Sequence, residues 1–182
     1  MNIIKSNVPI VGFAAFSGTG KTTLLTAIIP LLRQRGYRIA MVKHAHHQFD
    51  VDKPGKDSYQ LRKAGANQML IASSKRWALM VENTDDTDEP SLQQMINQLD
   101  TNKIDIILVE GFKAEAFPKI ELHRKAVSNH HIYPDDKNII AVASDTPMTL
   151  PEHITPLDIN NAELIADFIV TNIINRNNRP NQ

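Results

Sequence analysis

The run Ala15-Phe16-Ser17-Gly18-Thr19-Gly20-Lys21-Thr22-Thr23 carries the residue types that grip a chain of phosphates. Glycines let backbone N–H groups close around phosphate oxygens, because no Cβ stands in the way. Lys21 is long enough to reach the outer phosphates, and the Thr22 hydroxyl suits a Mg²⁺ ligand. A helix beginning near Lys21 adds unpaired N–H groups and the positive end of its dipole. Ser17, Gly18, Thr19, Gly20, Lys21, Thr22 and Thr23 are therefore the candidate nucleotide-phosphate contacts. One position departs from the pattern G-x-x-x-x-G-K-[ST], since Ala15 stands where the first glycine is expected. Alanine fits there if its φ is negative. The bland alternative is a glycine turn with a chance lysine. Against it stands the context, an apolar segment Val8 to Ala14 before the turn and Leu24-Leu25-Thr26-Ala27-Ile28-Ile29 after it. Strand, glycine turn and helix in that order are what a P-loop (Walker A motif) requires.

A P-loop needs an acid at the end of a neighbouring buried strand, to hold Mg²⁺ directly or through water. Glu110 closes the apolar run Ile104-Asp105-Ile106-Ile107-Leu108-Val109 and is the candidate, both as metal ligand and as catalytic group. The alternative is an ordinary polar residue at a strand end. For the base, Asp145 ends Val142-Ala143-Ser144, where an aspartate could pair with two guanine N–H groups. It also fits a turn before Pro147, and the chain has no Asn-Lys-x-Asp signature. The segment His44 to Ser58 is too long for a mere connector. One reading makes it a switch over the nucleotide, with Asp52 near Mg²⁺ as a second catalytic and metal residue and Lys53 or Lys56 near phosphates. In another, His44, His46 and His47 bind a transition metal; adjacent side chains of an extended backbone point apart, so all three would need a special turn. A third is a solvated loop.

The elements that must position these residues alternate between strand and helix. A first helix is expected from Lys21 to about Arg35, interrupted by Pro30, and a second strand over Arg38 to Lys43. Asp57 could cap a short helix over Ser58 to Ala64. Met69 to Ala72 and Trp77 to Val81 read as strands joined by a hairpin turn, which makes part of the sheet antiparallel. Asp85 to Pro90 reads as a solvated acidic loop. Ser91 and Gln94 form a capping box before Leu92, Met95, Ile96 and Leu99. Ile104 to Val109, Ile120 to Leu122 and Ile139 to Ala143 are further strands, and the last helix uses Leu164, Ile165, Phe168, Ile169 and Ile173. The expected fold is α/β, a three-layer P-loop NTPase with a mostly parallel sheet and an antiparallel extension. A single nucleotide-binding domain would cover residues 1–174, with a frayed tail over 175–182.

Composition excludes several classes. Across 182 residues Lys+Arg and Asp+Glu both total 20, so no global field favours nucleic acid or an anionic membrane. Aromatic residues make up only 5%, which weakens a base-stacking role. The absence of cysteine removes disulfides, thiolate metal sites and cysteine nucleophiles. No apolar run nears the roughly 18–20 residues needed to cross a bilayer. The N-terminus lacks a signal-peptide core, so a cytoplasmic location is the expectation.

With these residues in place, the chain resembles the MobB family of molybdopterin-guanine dinucleotide biosynthesis proteins. The resemblance rests on residues Ala15 to Thr23, on Val42-Lys43-His44 continuing through Asp50-Val51-Asp52-Lys53-Pro54-Gly55-Lys56-Asp57-Ser58, and on Arg76-Trp77-Ala78-Leu79. Leu108-Val109-Glu110-Gly111-Phe112-Lys113 and Ala141-Val142-Ala143-Ser144-Asp145 complete it. Alanine at position 15 follows the family's own pattern. The resemblance implies a homodimeric GTP-binding protein with weak Mg²⁺-dependent hydrolysis. It would assist the molybdopterin guanylyltransferase that attaches GMP to molybdopterin, as adapter or nucleotide donor, with molybdopterin-containing proteins as further partners. A small-molecule kinase and a His-loop metallochaperone are the competing classes.

Overall fold

Every residue of Ile10–Ala15 (β1) is buried, and its side chains alternate between two faces. Val11, Phe13 and Ala15 pack into one core cluster, while Ile10 joins a second on the opposite face. Ile106–Glu110 (β5) behaves likewise, with Ile106 and Leu108 on the first face and Ile107 and Val109 on the second. Burial on both faces is why these strands read as continuous apolar runs. The computed structural model describes residues 4–45, 49–83 and 89–177. They form two compact units, one from the chain before Ala45 and after Pro90, the other from Ala45–Pro90.

The first unit holds a six-stranded sheet in which every pairing is parallel. Its other strands are Ile39–Lys43 (β2), Lys119–His123 (β6), Ile139–Ser144 (β7) and Thr155–Asp158 (β8), in the order β2-β5-β1-β6-β7-β8. The helix Lys21–Gln34 (α1) buries Leu24, Leu25, Ile28 and Leu32 on the first face and continues through Pro30. Ala162–Ile169 (α4) packs beside it through Ile165, Ala166, Phe168 and Ile169. The last helix then widens into a π turn over Val170–Ile174, which keeps Ile173 and Ile174 buried, and ends at Asn175–Asn177 (α5). Leu92–Ile96 (α3) covers the other face with Leu92 and Ile96, and carries the full Ser91–Gln94 capping box. From the neighbouring strands β1 and β5 the chain moves in opposite directions along the sheet, to β2 and to β6, which puts the switch point of the strand order at the carboxyl ends of β1 and β5, where α/β folds build their sites.

The second unit consists of the short helix Asp57–Lys63 (α2) and the hairpin Gln68–Ala72 (β3) and Trp77–Val81 (β4). The hairpin pairs antiparallel as expected but forms a sheet of its own. Asp57 lies in the first turn of α2 rather than at its cap, where Lys56 stands. Arg62, almost fully buried, donates to Asp50 at 2.5 Å, Asp52 at 2.7 Å and Glu82 at 2.6 Å. One guanidinium fork thereby ties the start of this unit to the end of β4. The expected acidic loop falls largely on residues 84–88, outside the described residues; the tail expected to fray from residue 175 is helical over Asn175–Asn177, and its remainder, 178–182, lies outside the described residues.

Candidate nucleotide-binding site

The turn between β1 and α1 has Gly18 at φ 82° and Gly20 at φ 96°, conformations that L side chains rarely adopt. Open space surrounds the position a Cβ would take at either residue. Thr19 is buried between them and folds the loop on itself, its hydroxyl donating to the Phe16 carbonyl at 2.8 Å. Ala15 is not among the residues with positive φ, so its side chain is accommodated where a glycine is usual. No acidic residue sits in the first turn of α1, and Gly20 provides no side-chain cap. The leading N–H groups are thus left for an anion.

Lys21 lies at the head of this helix with Nζ 3.4 Å from the Ala15 carbonyl. Burial pushes its pKa below the ordinary lysine value; Glu110 opposes that, and Lys113 and Lys43 add to it. A bound phosphate would relieve the crowding of these ammonium groups, so the residues present fit an anionic ligand. Glu110 stands at the end of β5 in register with Phe13 of β1 and Lys43 of β2. Its Oε2 is 3.3 Å from Lys43 Nζ, and its side chain is largely buried.

The turn after Glu110 is tightly specified. Gly111 has φ 95°, and a Cβ there would lie 2.5 Å from the Cβ of His44. Phe112 follows at φ 51°, an uncommon conformation for an aromatic residue, and its ring stacks on His44 at 4.9 Å. The His44 N–H donates to the Glu110 carbonyl at 2.8 Å. Farther along, Lys119 is buried at the start of β6, and its ammonium donates to the carbonyls of Lys113 and Glu115 and to Asp136. All three donors of the ammonium are used. Lys119 therefore anchors the loop that carries Lys113, whose charge acts on Lys21.

At the far side, Asp145 follows β7. Its Oδ1 accepts the Lys125 N–H at 3.1 Å and its Oδ2 lies 3.8 Å from Arg124 Nη1. A carboxylate has about four lone-pair positions, so each oxygen keeps at least one for a further donor.

A family model described as molybdopterin guanine dinucleotide synthesis protein B (MobB) matches residues 10–145. The chain is 52% identical over 170 residues to the molybdopterin-guanine dinucleotide biosynthesis adapter protein of Escherichia coli K12, covering 91% of this chain and 94% of that one. The chain belongs to the MobB family. The adapter protein of Haemophilus influenzae is 42% identical over 168 residues, covering 91% of this chain and 90% of its own. A crystal structure of molybdopterin-guanine biosynthesis protein B aligns at TM-score 0.66 and 25% identity, over 89% of this chain and 98% of that one.

On this MobB fold, the sheet places the glycine turn after β1, with Thr22 in the first turn of α1, beside the strand end that carries Glu110. Asp52 belongs to the second unit, where Arg62 holds its carboxyl below the usual carboxylate range. His44 packs against Phe112 in the first unit. His46 and His47 lie outside the described residues, and among the described residues no three His, Asp or Glu side chains are grouped to hold a metal. No described helix is long and apolar enough to cross a membrane. Sequence reasoning gave no role to Lys43, Lys119 or Arg124. Parallel pairing of β2 with β5 puts Lys43 beside Glu110, and that strand order was the signal required.

Proposed function

We propose that this MobB-family chain binds GTP with Mg²⁺, hydrolyses it slowly, and assists the guanylyltransferase that attaches GMP to molybdopterin, as adapter or nucleotide donor. The observation that carries the reading is the open glycine turn with Lys21 at the head of α1, one strand away from Glu110. Ser17 to Thr23 would hold the phosphates through backbone N–H groups, and Lys21 would add its charge. The Thr22 hydroxyl and the Glu110 carboxylate would supply the donors for Mg²⁺, oxygen ligands of the hard kind that ion takes. Bound there, Mg²⁺ would offset charge on the phosphate oxygens. Glu110 would also orient a water, and Asp145 would accept from the guanine edge. A homodimer in the cytoplasm is the form expected from family likeness.

The experiment combines the purified chain, the guanylyltransferase, molybdopterin and Mg-GTP, and follows molybdopterin-guanine dinucleotide formation. Stimulation by the wild type and none by Lys21→Ala is the expected result. Stimulation unchanged in Lys21→Ala would remove nucleotide binding from the function, and failure of the wild type to bind GTP would overturn the reading.

A further inference from the structure

Arg124 follows β6 directly, and β6 lies between β1 and β7 in the sheet. Its guanidinium therefore stands at the carboxyl ends of the strands, between the phosphate-binding turn and Asp145. The contacts are specific. Nε donates to the Thr19 carbonyl at 3.2 Å, Nη2 donates to Asn160 Oδ1 at 3.0 Å, and Nη1 lies 3.8 Å from Asp145 Oδ2. One planar group thus touches the loops that follow β1, β7 and β8. Its own backbone is fixed as well, the Arg124 carbonyl accepting from the N–H groups of Val127 and Ser128.

Two consequences follow. A trans peptide is planar with its carbonyl and N–H opposed, so holding the Thr19 carbonyl directs the Gly20 N–H away from Arg124. That sets the plane of a peptide in the phosphate-binding turn. At the other end, the Lys125 N–H takes Asp145 Oδ1 while Oδ2 faces Arg124 as an ion pair at 3.8 Å, which orients the carboxylate. Turn and carboxylate are then held at one spacing by one side chain. Lysine cannot do this, because its point charge has no fork.

We propose that Arg124 is a positioning residue for base selection, setting the Asp145 carboxylate relative to the phosphate-binding turn so that guanine is preferred to adenine. The inference rests on the GTP-binding reading and deepens it. Binding of Mg-GTP, Mg-ATP and Mg-tripolyphosphate is measured by calorimetry for wild type, Arg124→Ala, Arg124→Lys and Lys21→Ala, with melting of the ligand-free proteins as the folding control.

Wild type should prefer GTP, and both Arg124 variants should lose about tenfold or more of that preference, the scale of one charge-assisted contact. Their tripolyphosphate affinity should fall far less than their GTP affinity. A merely structural role would lower GTP and ATP together. An unchanged GTP-to-ATP ratio in both variants overturns the role of Arg124 and leaves GTP binding standing. Full recovery of the ratio in Arg124→Lys overturns the fork argument. If wild type binds all three ligands through Lys21 but without base preference, both the guanine reading and this inference fall.

Discussion

Glu110 answers to two ammonium groups. Lys43 pairs with it at 3.3 Å, and it offsets part of the burial effect on Lys21. Glu110→Gln keeps the shape and removes the charge. Nucleotide should still bind, while Mg²⁺-dependent hydrolysis should fall by about two orders of magnitude, the usual worth of a positioned acid or base. Phosphate release with and without Mg²⁺ measures it, and unchanged turnover would reduce Glu110 to a strand-end partner of Lys43. Asp145 is tested by inverting its hydrogen-bonding pattern. Asp145→Asn presents one donor and one acceptor, which suits xanthine, with a carbonyl where guanine has its 2-amino group. Competition binding should show GTP affinity lost and XTP affinity gained, since a base left with mismatched polar groups costs about 1–3 kcal/mol per group. Normal GTP binding by the variant would make Asp145 a turn residue that serves only to hold the Lys125 N–H and to face Arg124.

Elements were legible in proportion to how locally their cause is written. The Ser91–Gln94 box and the run Ile104 to Val109 depend on neighbours in sequence; the box stands where expected, and the run forms its strand two residues later, over Ile106–Glu110. Thr155–Asp158 was not legible: four residues with Pro156 among them show no period, and the strand survives as the sheet edge where a missing N–H is tolerated. The hairpin's pairing was legible, but its separation from the main sheet was not, because strand partners beyond a hairpin leave no local mark. Lys119 was hidden for a similar reason, its three acceptors coming from Lys113, Glu115 and Asp136. Lys119→Met should remove about 3–5 kcal/mol of stability, the cost of leaving a buried pair half made, read by urea unfolding. A loss below about 1 kcal/mol would mean the loop re-forms without its anchor. Arg38 ties the approach to β2 to that of β5, its guanidinium and its own N–H all reaching Asp105. These bonds hold the Asp105 carboxyl down at about 2, from 3.8. Its contribution is therefore present above 3.8 and lost as pH falls toward about 2. The stability gap between wild type and Asp105→Asn should be flat near neutrality and close across that window in acid unfolding. A gap that persists below it would assign the effect to packing.

At the scale of the whole molecule, the proposed ligand would couple to the fold through the first unit. The glycine turn joins β1 to α1, and these supply Val11, Phe13, Ala15, Leu24, Leu25, Ile28 and Leu32 to the main core. Lys21 contributes nothing to that core; it is half-buried, crowded by other ammonium groups, and depressed in pKa by burial. Replacing it with alanine removes that electrostatic strain, so ligand-free Lys21→Ala should melt at or slightly above the wild-type temperature. The ligand response should go the other way. If only the native state binds, Mg-GTP at a hundredfold excess over its Kd stabilises wild type by about 2.7 kcal/mol. For a protein of this size that is a rise in Tm of roughly 5–10 °C. Lys21→Ala at the same GTP concentration should show little of it. The crossing of the two effects separates a binding lysine from a structural one. Should the variant melt several degrees below wild type without ligand, Lys21 supports the fold; should both shift equally with GTP, the nucleotide is held without it.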